Sequence, residues 1–461
     1  MPVEMWNSKH VKQCEALSQL AFNQSDKTLA NYQSDFGNLY TNPLISAVVK
    51  PESNQQLSAL LSFANQNQLP LTARCLGLSQ SGQSIPIDGG VSIDMTGFNK
   101  VSVVENNQIT VGAGTRWRDL VTQTLKYDLL PLVFPYNMNL SVGGLLSVGG
   151  LGSASFKYGV AASHVKTMDV IQANGEINTC REDDDLFRAA LAGLGQFGVI
   201  TEASIALRSC KKLVRSFYLL YDDHAAWLED QSILKHQVDY LEAYSSPLML
   251  GLKKTGEGRQ PLVNWFYCTH CGFEYNEKAP DVESLSVGGY AKISHVEDNT
   301  IYDYVMRHDN RFIAMQESGQ WQMAHPWYEC YVSRQLLLAN FDEILAKTSI
   351  GFGGVYHIFP LAKQVPWFFM LPEEEEIVTF NILTPGVMPH QLNACKESIA
   401  WLNQLFLNNG GKRYVSGWLG EKVDKRFWAA HYGERFLERQ ALKNKYDPNT
   451  IFCSCLFPER P

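Results

Sequence analysis

Over residues 1–210 the apolar positions switch repeatedly between two periods. Leu57, Leu60, Leu61 and Ala64 recur three and four apart, which predicts an amphipathic helix over 55–67. With the stretch at 48–52 before it and a strand at 69–73 after it, this makes a β-α-β unit. Further short strands are predicted at 91–95, 101–105 and 108–112, the last two joined through Asn106-Asn107. A helix is predicted over 117–124. Residues 165–173 and 176–179 read as a hairpin closed by Asn174-Gly175, a pair that tolerates the positive φ of a type I′ turn. A helix over 184–192 and a strand over 199–207 follow. From about residue 211 the texture changes. Longer helices are predicted at 225–242, 390–408 and 427–445, with aromatic strands at 262–267, 327–332, 355–359 and 377–383 between them. The chain is α+β, and at 461 residues it exceeds what one core usually serves, so two domains are expected.

Three glycine-rich loops interrupt the first segment. The first follows the strand at 69–73 and carries Gly77, Ser79, Ser81, Gly82, Gln83 and Ser84. The second runs from Leu140 to Ser153, and the third from Ala192 to Thr201. Small residues let a backbone approach a ligand closely, and exposed N–H groups cradle a phosphate. Three such loops in one segment point to an extended, phosphate-bearing cofactor. The spacing Gly193-x-Gly195-x-x-Gly198 follows a predicted helix and precedes a strand, the wrong order for a Rossmann turn.

Composition narrows the classes. Hydrophobic residues make up 45% and charged residues 19%, as in an ordinary folded protein. With a formal net charge of -8 and no Lys/Arg block, nucleic acid is not expected as a partner. No apolar run has the ~18 residues of a membrane span, so no membrane is expected either. The first residues lack the apolar run of a secretory signal, and the ten cysteines form no framework; both lead to the expectation of a cytoplasmic protein with reduced thiols. The close pairs Cys268/Cys271 and Cys453/Cys455 have spacings that suit zinc, but neither lies in a zinc module, so no metal is expected.

Several blocks carry a family resemblance. They are A-R-x-x-G-x-S-x-x-G-Q at 73–83, I-D-M at 93–95, L-S-V-G-G at 140–144, G-L-G-Q-F-G-V-I-T at 193–201, His325-Pro326-Trp327, and Tyr446-Asp447-Pro448-Asn449. In these the chain resembles the flavin-binding oxidoreductases of the vanillyl-alcohol-oxidase type, and within them the cytokinin dehydrogenases. The resemblance implies an FAD-binding domain with two α+β subdomains, over 1–210 and 412–461. An α+β substrate (cap) domain with an antiparallel sheet would span 211–411. It places FAD against Arg74, Cys75, Leu76, Gly77, Leu78 and Ser79, with Gln83 and Ser84 nearby. Ser141, Gly144, Ser147, Leu151, Ile200, Tyr136 and Tyr414 would also touch it.

Three positions depart from the family. Leu78 stands where the family carries its flavin-linked histidine, and leucine has no nucleophilic atom, so FAD is expected to be noncovalent. Tyr136 stands where the family has its active-site aspartate, and a phenol is a poor base at neutral pH. Tyr136 is instead expected to hydrogen-bond or stack on a substrate. Ser454-Cys455-Leu456 replaces a P-G-Q segment that touches the flavin. His357 lies on a strand of the kind that faces the flavin, with a core role as its alternative. Glu242 matches a family acidic position, with a solvated helix end as its alternative. Tyr136, His357 and Glu242 are the candidate catalytic residues. The expected reaction is hydride transfer from a C–H next to N or O in a small-molecule substrate, nearest to an N6-substituted adenine, to flavin N5. Oxygen or another electron acceptor would reoxidise the flavin. Alternatives are a different small amine, alcohol or sugar-like substrate, or a flavin-binding protein that has lost turnover.

Overall fold

In the computed structural model, which describes residues 5–256, 258–348 and 355–458, the first predicted helix spans Asn54–Gln66. The Ser53 hydroxyl caps it by accepting the Gln56 amide, and Leu57, Leu60, Leu61 and Ala64 are buried. They pack on a three-stranded parallel sheet ordered Ala47–Val49, Val91–Asp94, Leu71–Arg74. The C-terminal segment returns to this sheet: the Leu71 amide donates to the Ile451 carbonyl and the Cys453 amide to the Leu71 carbonyl.

The second sheet is antiparallel, with Val101–Glu105, Gln108–Gly112, Val199–Ser209, Val165–Ile171 and Ile177–Arg181 in that order. Leu129–Pro131 pairs with the far end of Val199–Ser209. Both predicted hairpins form, Asn106 and Asn107 with φ of 51° and 55°; at the second only Gly175 (85°) and not Asn174 has positive φ, so its turn is not the expected type I′.

Among the described residues the third sheet has eight antiparallel strands. Their order is Lys292–Thr300, Leu213–Tyr221, Gly258–Tyr275, Tyr240–Thr255, Tyr356–His357, Ile377–Ile382, Tyr328–Ser333 and Lys412–Arg413. Period-two alternation sorts its side chains. Leu241, Ala243, Tyr356, Val378, Phe380, Ile382, Tyr328, Cys330 and Val332 share a core with Trp227 of helix His224–Leu234, Phe341 of helix Arg334–Lys347 and Leu402 of helix Leu392–Leu407. The alternate residues, among them Glu242, Tyr244, His357, Asn381 and Glu329, therefore lie on the opposite face.

Two predicted helices are corrected. The helix expected over 225–242 is His224–Leu234, and Tyr240 already begins a strand, because Tyr-Leu-Glu-Ala-Tyr alternates with a period of two. Glu242 is therefore a strand residue, not a helix end. The helix expected over 427–445 is two, Lys425–Tyr432 and Arg435–Tyr446, divided at Gly433 with φ 52°. Among the described residues no helix is long and apolar enough to cross a membrane.

Candidate active site

The first glycine-rich loop is held by neighbours that use its carbonyls and leave its amides. The amide of Phe36 donates to the Gly77 carbonyl (2.8 Å) and that of Gly37 to the Ser79 carbonyl (3.1 Å). The Asp35 carboxylate accepts from the Ser79 hydroxyl (2.9 Å) and the Gly82 amide (2.9 Å). Burial raises the Asp35 carboxyl to about 6. Among the described residues the amides of Leu76, Gly77, Leu78 and Ser79 find no protein acceptor. Successive free amides of this kind form an anion-binding concavity.

Arg74 lines the cleft but braces the loop. Its guanidinium donates to the carbonyls of Ser34 (2.8 Å), Ser84 (3.3 Å) and Asn31 (2.9 Å). Gly77, with φ 64°, lies against that guanidinium, so that a side chain there would run into it. Gln83 ties the loop to the C-terminal segment, donating to the Val415 carbonyl (2.8 Å).

The other loops close the cleft. Ser141 caps Val142–Leu146, and its hydroxyl accepts the Gly144 amide. The Ser147 hydroxyl donates to the Gly143 carbonyl (2.7 Å), and the Leu194 amide of the third loop donates to the Ser147 carbonyl (2.9 Å). Gly195 has φ 69°, and a Cβ there would meet nothing within 4 Å. The cleft has a cavity volume of about 200 Å³ and is open to solvent. Arg74, Cys75, Leu76, Gly77, Leu78, Ser79, Gln83, Ser84, Ser141, Gly144, Ser147 and Ile200 all line it. Ser454-Cys455-Leu456 does not; the Cys455 amide donates to the Ile85 carbonyl beneath the first loop (2.9 Å).

A second cavity of about 110 Å³ adjoins the first, and Leu140 and Ser416 line both. Tyr136, Leu151, His357 and Tyr414 open onto this second space. Its floor is a row across the eight-stranded sheet. His357 is the register partner of Asn381, Asn381 is that of Glu329, and the Tyr414 amide donates to the Glu329 carbonyl (3.0 Å). Register partners put their side chains side by side on one face. The Tyr414 hydroxyl accepts the Gly150 amide (3.0 Å) and is thereby fixed.

Most of the row is unspent. The Tyr136 hydroxyl, both His357 ring nitrogens, Asn381 Oδ1 and Glu329 Oε2 are buried without a hydrogen-bond partner. Buried polar groups are normally paired, so orphans gathered on one cavity mark a polar ligand's place. Their charge states differ. Burial pushes His357 down to about 3, helped by Arg311 and His308. Burial also raises Tyr136 well above an ordinary phenol, against a small opposing effect of Arg307. Glu329 is raised to about 7 by burial, against Arg413 and Ser416, which favour its charged form.

Glu242 is not at the cavity wall. It is buried in an ion pair with Arg307 and lies 3.2 Å from His308 Nε2 and 3.4 Å from His270 Nδ1. His308 does line the cavity, its ring centroid 5.3 Å from that of Tyr136. Glu242 thus stands one residue behind the cavity.

Glu329, Asn381, His308, Arg311 and Ser416 line the second cavity, and Asp35 holds the first loop; the sequence reading had passed over all of them. Glu329 left one sign, a carboxylate inside the otherwise uncharged strand Tyr328–Ser333. Among the described residues no three His, Cys, Asp or Glu side chains gather as a metal cluster.

A family model described as an FAD binding domain matches residues 45–181. A second, described as cytokinin dehydrogenase 1, FAD and cytokinin binding, matches residues 265–455. Cytokinin dehydrogenase 3 of Oryza sativa subsp. japonica is 28% identical, over 92% of this chain and 88% of its own. Cytokinin dehydrogenase 3 of Arabidopsis thaliana is also 28% identical, over 93% of this chain and 88% of its own. An uncharacterized oxidoreductase from the fasciation locus of Rhodococcoides fascians is 27% identical, over 92% of this chain and 96% of its own. A cleft built largely from the first of these segments and a cavity floored largely by the second thus go with a chain that is similar to cytokinin dehydrogenases, FAD-dependent oxidoreductases, in both segments.

Proposed function

We propose that this chain holds FAD noncovalently in the glycine-rich cleft and oxidises a small amine at the C–H next to its nitrogen, with N6-substituted adenines as the nearest substrate class. The observation that carries this is the junction of the two cavities at Leu140 and Ser416, beside a row of unspent polar atoms. The cleft fits a dinucleotide cofactor: the free amides at 76–79 suit a diphosphate, and Gly195 leaves open space where a side chain would intrude. Bound FAD would supply a two-electron acceptor, which is the chemistry the side chains lack.

The chain's own residues bind and orient. The neutral His357 and the Asn381 amide offer hydrogen bonds to a planar, nitrogen-rich ring. Tyr136, held as a phenol, donates or stacks but does not take a proton. The apolar walls, Pro135, Leu151, Phe312 and Leu383, exclude water from the reacting carbon.

Leu78 supports noncovalent attachment. Acid precipitation of the purified, yellow protein is expected to leave all flavin in the supernatant. Flavin retained in the washed pellet would contradict this. The substrate reading is tested by adding isopentenyladenine anaerobically and following the flavin band; oxygen and artificial acceptors, compared afterwards, identify the reoxidant.

A further inference from the structure

The second cavity holds a carboxylate that has no ion pair among the described residues. Glu329 lies within the strand Tyr328–Ser333, between Asn381 on one side and Tyr414 on the other. Its residue is 7% exposed and its Oε2 has no partner. Arg413, the nearest guanidinium in sequence register, is committed elsewhere. It donates to the backbone carbonyl of Glu329 (2.8 Å), to Asn403 Oδ1 (2.8 Å) and to the carbonyls of Leu419 (3.3 Å) and Trp418 (2.7 Å). No ion pair to the Glu329 carboxylate exists among the described residues. A buried, unpaired carboxylate costs stability, and such a cost is characteristic of functional sites.

We propose that Glu329 is the proton acceptor of the substrate cavity, replacing the carboxylate that Tyr136 displaced. The inference rests on the amine-oxidation reading above. With FAD bound as the two-electron acceptor, the C–H hydrogen would leave the substrate with its electron pair, and the N–H bond would break as well. The N–H electron pair becomes the second bond of C=N, and the proton passes to Glu329. The substrate loses two electrons and two hydrogens, and Glu329 later returns its proton to solvent.

The other titratable groups facing the cavity serve this role poorly. His357 and His308 are held neutral by burial and by neighbouring cations, which makes them weak bases. Tyr136 already carries its proton, the Tyr414 hydroxyl is also held as a phenol, and Arg311 is a cation. A base titrating near the working pH combines availability with driving force, and the Glu329 carboxyl, at about 7, is the group that does so. Ser416, which favours its charged form, lines both cavities, so the acceptor sits next to the junction where the substrate meets the flavin.

The test compares FAD-loaded wild type with Glu329→Gln, and it has two readouts. In the first, anaerobic flavin bleaching by isopentenyladenine is followed against pH. The wild-type rate is expected to rise through an apparent pKa near 7. Glu329→Gln is expected to be at least ~100-fold slower and to lose that limb. A Glu329→Gln protein that bleaches at the wild-type rate with the same limb overturns the proposal.

The second readout is stability against pH and needs no turnover. A carboxyl raised from 4.5 to about 7 on folding contributes stability that is complete below 4.5 and lost as pH rises through 7. The advantage of Glu329→Gln over wild type should therefore grow between those limits and level off above them. If wild-type flavin is not bleached by any amine, the substrate reading fails, and this second readout still decides about Glu329. A growing advantage keeps it as the cavity's proton-carrying group, and a flat difference overturns that.

Discussion

Gly77→Val is expected to yield a folded protein that purifies without flavin. Gly77 has φ 64°, in the left-handed region, where a β-branched residue is strained by about 1–3 kcal/mol. Its new side chain would also run into the Arg74 guanidinium, which three backbone carbonyls fix in place. Either the loop moves or the guanidinium does, and both disturb the free amides at 76–79. Together these effects lower FAD affinity by at least about 100-fold, since each 1.4 kcal/mol is a factor of ten. The loop lies at a cleft edge and not within a core cluster, so the fold should survive. Visible flavin absorbance per protein, together with an unchanged far-ultraviolet circular dichroism spectrum, checks this. A flavin content close to wild type would mean that this loop does not grip the cofactor.

Glu242→Leu is expected to destabilise the protein by about 3–5 kcal/mol, because it strands Arg307 in the interior. Arg307 is buried over the Tyr304 ring at 4.0 Å and donates to the Tyr304 carbonyl (2.6 Å), while Glu242 alone neutralises it among the described residues. His308 and His270 lose their carboxylate neighbour in the same change. The conservative Glu242→Gln keeps an acceptor and should lose less. These expectations assign Glu242 a structural role. Denaturant midpoints report the loss, and the pH profile of flavin reduction in Glu242→Gln separates the two roles. A profile that keeps its limb is expected; one that loses it would return Glu242 to the catalytic list.

What the sequence disclosed follows from how local each signal is. The glycine-rich loops were visible because Gly77 and Gly195 are required by single positive-φ positions, and three loops recur within one segment. The hairpins at Asn106-Asn107 and Asn174-Gly175 were equally local. The long pair Tyr240–Thr255 and Gly258–Tyr275 was legible only at 262–267, since Pro247 and an irregular register near Gly251 interrupt its pattern. Glu242 was misplaced on a helix for that reason. Leu78 and Tyr136 could be read as departures only against a family pattern.

Glu329 could not be recognised from spacing at all. A carboxylate in a strand becomes a cavity group only when Asn381 and His357 lie beside it in register, and that alignment depends on strands about 25 to 50 residues apart. The same holds for the Arg307–Glu242 pair, whose partners lie on a strand and a helix end that no short window joins.

The most direct measurement is the visible spectrum of the purified wild-type protein during anaerobic addition of isopentenyladenine. The expected result is a yellow flavin band that bleaches as substrate is added and returns when an electron acceptor is admitted. A flavin band that stays unchanged through N6-substituted adenines and other small amines would contradict amine oxidation at this site.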